Sequence, residues 1–152
     1  MKKITALSTA LLAATSICAF PGIASAATEK ATECTGSLIE RLTAKYGGGT
    51  VAELDIYFNG TTGVNCARMN HVGVTYGKKY FTMVYIGVCK ETSPGPTCTI
   101  TQNDSDEGNY THYAGPVSVA ARKHCIYVTA QLAYPTMANP RNLDTGDASH
   151  CG

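Results

Sequence analysis

Cysteine, histidine, clustered carboxylate and tyrosine are the side chains of this sequence with chemistry to offer. Their spacing decides what that chemistry is. Of seven cysteines, Cys18 falls in an N-terminal apolar stretch; Cys34, Cys66, Cys89, Cys98, Cys125 and Cys151 remain. Zinc sites bring cysteines together at spacings of about two to four residues, and no pair here is that close. A nucleophilic cysteine would leave an odd partner behind. An even set in a short exported chain is instead a disulfide framework.

His71, His112, His124 and His150 are scattered, and none lies in a zinc-protease or triad-type motif. A histidine beside a carboxylate can serve as a general base, so His112 with Asp106 is the seed of a small-hydrolase reading. The acidic run Asn103-Asp104-Ser105-Asp106-Glu107-Gly108 fits neither frame of a calcium loop, and is expected to be a solvated turn. It faces no second carboxylate cluster, so a glycosidase pair cannot be built. No catalytic residue, metal site or cofactor is predicted.

Binding is a different matter. The chain has nine tyrosines and no tryptophan. On one extended segment Tyr110, His112 and Ala114 share a face, and Thr111, Tyr113 and Gly115 share the other. Exposed aromatic rings stack on sugars or on protein partners, which makes Tyr110, His112 and Tyr113 binding candidates. Ser93 and Pro94 are a second set. They lie in Lys90–Thr97, between Cys89 and Cys98, where Pro94 and Pro96 forbid regular structure. Such a loop is either a rigid element presented to a partner, as in a protease inhibitor, or a plain stapled hairpin. Sequons at Asn59, Asn103 and Asn109 matter only in a glycosylating host.

The N-terminus indicates the compartment. Lys2 and Lys3 precede the apolar run Ile4–Phe20, Pro21 and Gly22 break it, and Ala24-Ser25-Ala26 offers a cleavage site before Ala27. That order predicts a signal peptide over residues 1–26 and a secreted protein. Loss of Lys2 and Lys3 moves the formal charge from +1 to −1. Nucleic acid and anionic membranes need a basic surface, so neither is expected as a partner once the signal is removed.

Elements that position these residues follow from periodicity. Residues 27–33 read as a loose arm and 34–152 as one domain. Ser37–Tyr46 fits a helix through Leu38, Ile39 and Leu42, or a strand by alternation. From Thr50 the period is two: Ala52, Leu54, Ile56 and Phe58 point one way, Glu53, Asp55 and Tyr57 the other. Asn59–Gly63 is turn chemistry, and with Val64–Met69 makes a hairpin. Tyr80–Val88 is rich in aromatic and β-branched residues, as a central strand should be. Thr97–Gln102, Tyr110–Val119 and Cys125–Leu132 complete the strands, with Asn103–Asn109 as a polar turn. Val117–Lys123 has a helical alternative. The tail after Tyr134 is expected to be mostly loop. The fold class is mainly β: an antiparallel β-sandwich or barrel-like domain stapled by disulfides.

Three segments together resemble the actinobacterial spore-associated protein A family. They are Asn59-Gly60-Thr61-Thr62-Gly63-Val64-Asn65-Cys66, Tyr113-Ala114-Gly115-Pro116-Val117 followed by Cys125, and the terminal His150-Cys151-Gly152. Cys34-Thr35-Gly36-Ser37 is a looser match to the family's first cysteine segment. Members are small secreted proteins found with spores or culture medium, with no activity established for the class. The resemblance places the family's four cysteines at Cys34, Cys66, Cys125 and Cys151, and with neighbouring order implies the pairs Cys34–Cys66 and Cys125–Cys151. Cys89–Cys98 is then an added pair across one hairpin. The family stretch matching Ser37–Tyr46 is strand-like, which favours a strand there. The expected function is a structural or binding role at the cell envelope or spore surface, with envelope or spore-coat components as partners and no catalysis. The alternatives are an inhibitor or toxin-like binder acting through the Cys89–Cys98 loop, and a small secreted hydrolase.

Overall fold

Alternating apolar residues in Gly49–Asn59 and Tyr80–Cys89 bury one face of each segment, and two sheets close around them. The computed structural model describes residues 33–152. The leader, its cleavage point and residues 27–32 of the arm lie outside the described residues. The strands are β1 (Ser37–Tyr46), β2 (Gly49–Asn59), β3 (Val64–His71), β4 (Tyr80–Cys89), β5 (Ile100–Tyr110), β6 (Tyr113–Ala120), β7 (Ile126–Thr136) and β8 (Asn139–Asp144), with a 3-10 turn at Gly73–Thr75. They form two four-stranded antiparallel sheets, ordered β1-β2-β3-β6 and β5-β4-β7-β8. The arrangement is a sandwich, and the sheets do not close into a barrel.

The core lies between the sheets. Leu54, Ile56, Ala67, Met69 and Val117 from the first meet Val84, Ile86, Ile126, Val128 and Leu132 from the second, all fully buried. The expected β2–β3 hairpin is present, with Asp55 opposite Arg68 and Ile56 opposite Ala67. Its turn is built as the sequence implies. Asn59 Oδ1 accepts from the Thr61 and Thr62 amides, and Gly63 takes a φ of +74° that glycine adopts without steric cost.

The disulfides are Cys34–Cys66, Cys89–Cys98 and Cys125–Cys151, the pairs implied above. Cys89 and Cys125 are buried with Ala148 in a small second core under the C-terminal tail. The tail is strapped down further. His150 Nε2 meets Glu40 Oε2 of β1 at 2.6 Å, and the Lys123 amide donates to the Gly152 carbonyl.

Three expectations need correction, and one open alternative is resolved. Asn103–Asn109 is not a turn but the body of β5. This is an edge strand, whose half-buried face carries Asp104, Asp106, Gly108 and Tyr110. Inward-pointing charge at a sheet edge is compatible with a strand when it finds donors. Here the donors are backbone amides of β6, an edge strand of the other sheet. Ser118 N–H donates to Asp104 Oδ2 at 2.9 Å and Gly115 N–H to Asp106 Oδ2 at 2.7 Å. Second, the tail after Tyr134 is not mostly loop, because β7 runs to Thr136 and β8 follows. Pro140 is tolerated there because β8 is an edge. Third, Tyr110 and Ala114 do not share one strand face. Tyr110 ends β5, Tyr113 opens β6, and His112 lies in the turn between them. The segment Val117–Lys123 is strand through Ala120, not helix.

Asp106 also accepts from the Tyr110 hydroxyl at 2.8 Å, and that bond, with burial, raises the Tyr110 pKa. Asp106→Ala strands the Gly115 amide and removes a charge-assisted acceptor, at a cost of about 2–3 kcal/mol. The variant should melt lower, and spectrophotometric titration should show its Tyr110 ionising at lower pH than in the wild type. Unchanged melting and titration would contradict the sheet-to-sheet clasp.

Candidate functional site

The outer face of the first sheet is where polar side chains converge. In a strand successive residues point to opposite faces, so each apolar residue given to the core sends its neighbour outward. Between Leu54 and Ile56 that neighbour is Asp55; between Ala67 and Met69 it is Arg68. Register then sets Arg41, Asp55 and Arg68 in one row across β1, β2 and β3, and Glu53, Asn70 and Tyr113 in the next across β2, β3 and β6. The β3–β6 register shifts at Arg68, which leaves it opposite the Gly115-Pro116 bulge. With His71, Val72, Tyr76 and His112 at one end, these residues line an open groove of about 560 Å3.

Asp55 is the fixed point of the groove. It is 1% exposed, and a buried carboxylate needs its oxygens bonded. Arg41 Nε donates to Oδ1 at 2.5 Å, Arg41 Nη2 to Oδ2 at 2.9 Å, and Asn70 Nδ2 to Oδ2 at 2.9 Å. Glu53 lies 3.5 Å from Arg41 Nε. Arg41 is therefore neutralised twice over. Arg68 is not. Its guanidinium lies over the Tyr113 ring, 5.1 Å from the centroid, and its buried Nε has no hydrogen-bond partner among the described residues.

His71 forms the floor. It is 1% exposed, and its Nε2 lies 2.6 Å from Thr82 Oγ1. The Thr82 hydroxyl also reaches the Tyr80 carbonyl at 3.2 Å. Burial pushes the His71 pKa below its ordinary value, and the ring is neutral. As pH falls, the unfolded chain binds this proton first. The stability His71 contributes is full above the unfolded value of about 6.5 and is lost as pH falls through the lower folded value. The wild-type melting temperature should therefore drop between about pH 7 and pH 5 more steeply than that of His71→Gln. Parallel curves would contradict a buried neutral His71.

The residues singled out in the sequence have separate fates. Tyr113 and His112 line the groove, His112 packing edge-on against Tyr76 with centroids 4.8 Å apart. Tyr110 belongs to a neighbouring shallow cleft with Thr111 and Gly115, its hydroxyl held by Asp106. Ser93 and Pro94 are exposed at the tip of the Cys89–Cys98 loop. That loop is anchored to the body. Gly95 and Ala148 exchange both backbone bonds, the Cys125 amide donates to the Glu91 carbonyl, and Glu91 accepts from the Thr99 amide and hydroxyl. Those bonds hold the Glu91 carboxyl below its usual range. No hydrogen bond joins His112 to Asp106 among the described residues: Asp106 accepts from the Gly115 amide and the Tyr110 hydroxyl, while His112 Nδ1 lies 3.0 Å from Thr111 Oγ1.

Sequence reasoning missed Arg41, Arg68, Asn70, His71 and Tyr76. The outward position of Asp55 was legible. Extending the same alternation across the Asn59–Gly63 turn would have set Arg68 beside it. No helix among the described residues is long and apolar enough to cross a membrane, and the three disulfides suit an extracellular protein. No family model, curated protein or solved structure matches the chain.

Proposed function

We propose that this is a secreted protein of the cell envelope or spore surface whose role is binding, and that the groove on the outer face of its first sheet is the binding face. The observation that carries this is Arg68, a half-buried guanidinium without an ion-pair partner among the described residues, set among side chains whose charges are already matched. An arginine held this way has donors in a fixed fork and no acceptor. A non-catalytic reading fits the lining. It offers no serine, cysteine or threonine as nucleophile, and its buried carboxylate is saturated by Arg41 and Asn70. The inhibitor reading is less well supported, because the Cys89–Cys98 loop is bonded to Ala148 and Cys125. Spore or envelope association rests on the three family-like segments and on the signal-peptide pattern.

The test is fractionation of the producing organism with an antibody to the chain, followed by co-sedimentation of oxidised pure protein with isolated envelopes and spores. The protein should partition with one of them, and Arg68→Gln should lower the bound fraction several-fold without changing the melting temperature. Protein found solely in the culture fluid, with no sedimentation on either, would overturn the proposal.

A further inference from the structure

We infer that the ligand of this groove is a sparsely acidic saccharide, a sugar chain whose carboxylate meets Arg68 while a ring face lies on Tyr76 or Tyr113. This rests on the groove being the binding face. Charge is the first argument. Arg41 is matched by Asp55 and Glu53, so among the described residues Arg68 is the one arginine of the groove lining without a carboxylate within ion-pair distance. A single free guanidinium beside a carboxylate suits an isolated anionic group. Nucleic acid and dense phosphopolymers need many cations, and Glu53 would repel them.

The second argument is the kind of surface around that charge. Tyr76 is 64% and Tyr113 39% exposed, and each offers an apolar ring with a polar tip. A pyranose has the complementary form, with a C–H face for the ring and hydroxyls at its edge. Glu53 can accept from those hydroxyls, and Asn70 has one side-chain N–H left after its bond to Asp55. The groove also lies on a sheet face rather than along an edge, so it cannot capture a peptide by strand addition.

The probe is a hyaluronan tetrasaccharide, which alternates a carboxylate-bearing sugar with an uncharged one. Its methyl ester and neutral chitotetraose are the controls, and binding is read by calorimetry on the oxidised protein. The tetrasaccharide should bind. Esterification, the neutral sugar and Arg68→Gln should each weaken binding roughly tenfold or more, the expected worth of a charge-assisted hydrogen bond. Tyr76→Ala should weaken it several-fold, with melting temperatures confirming that both variants fold. Equal affinity for ester and acid, or for Arg68→Gln and wild type, would overturn the inference, as would no binding of the tetrasaccharide. Should envelopes sediment wild type and not Arg68→Gln while the tetrasaccharide fails to bind, the saccharide assignment falls and the binding face stands. Should envelopes and spores both fail to bind, the functional reading falls with it.

Discussion

Reduction of the three disulfides should unfold this domain at ~37 °C. The loops they close span 32, 9 and 26 residues. In the chain-entropy model the two longer loops are worth about 3.5 kcal/mol each and the short one about 2.5 kcal/mol. Together they match the ~5–15 kcal/mol that an ordinary domain has in total. The Cys125–Cys151 bond carries more than its own loop. The tail it holds supplies the Ala148 pairing to Gly95, the His150 contact to Glu40 and the Gly152 carbonyl to Lys123. A circular-dichroism melt with and without reductant measures the effect. A reduced protein that melted within a few degrees of the oxidised form would show that the β-sandwich core suffices alone.

Gly115→Val should be the most damaging single substitution in the groove region. Gly115 has a φ of +95°, where a β-branched residue is strained by about 1–3 kcal/mol. A Cβ there would sit 3.0 Å from the Ala67 carbonyl oxygen and 3.2 Å from Val84 Cγ1. Relieving that contact in a packed interior costs about 1–3 kcal/mol more. The bulge also places the Gly115 amide on Asp106 and opens the space opposite Arg68. The variant should lose secreted yield and melting temperature together, and Gly115→Ala should fall between it and wild type. A Gly115→Val protein of full stability would mean that the segment serves ligand contact rather than the fold.

How much of this was legible depended on whether apolar residues marked the strand. Ala52, Leu54 and Ile56 alternate cleanly, and so do Val84, Ile86 and Val88, so the hairpin and the central strand were read correctly. β5 is a strand because it pairs along the whole of β4, and its inward Asp104 and Asp106 are satisfied by amides on β6. No local pattern carries that information. Pro140 and its asparagine neighbours hid β8, because turn composition and a tolerant edge strand look alike in one dimension. Ser37–Tyr46 had two valid periodicities; pairing with β2 resolves it as strand. The groove was half legible. Each strand showed its polar face, but the row Arg41, Asp55, Arg68 exists only through register across two turns.

On the proposed function, this protein engages its ligand on the outer face of the first sheet. Amide chemical-shift mapping of the oxidised, isotopically labelled protein, titrated with solubilised envelope or spore-surface polymer, tests it most directly. Shifts should concentrate at Arg68, Asn70, Tyr76 and Tyr113 and vanish in Arg68→Gln. Shifts centred on Ser93 and Pro94, with the groove unmoved, would contradict it.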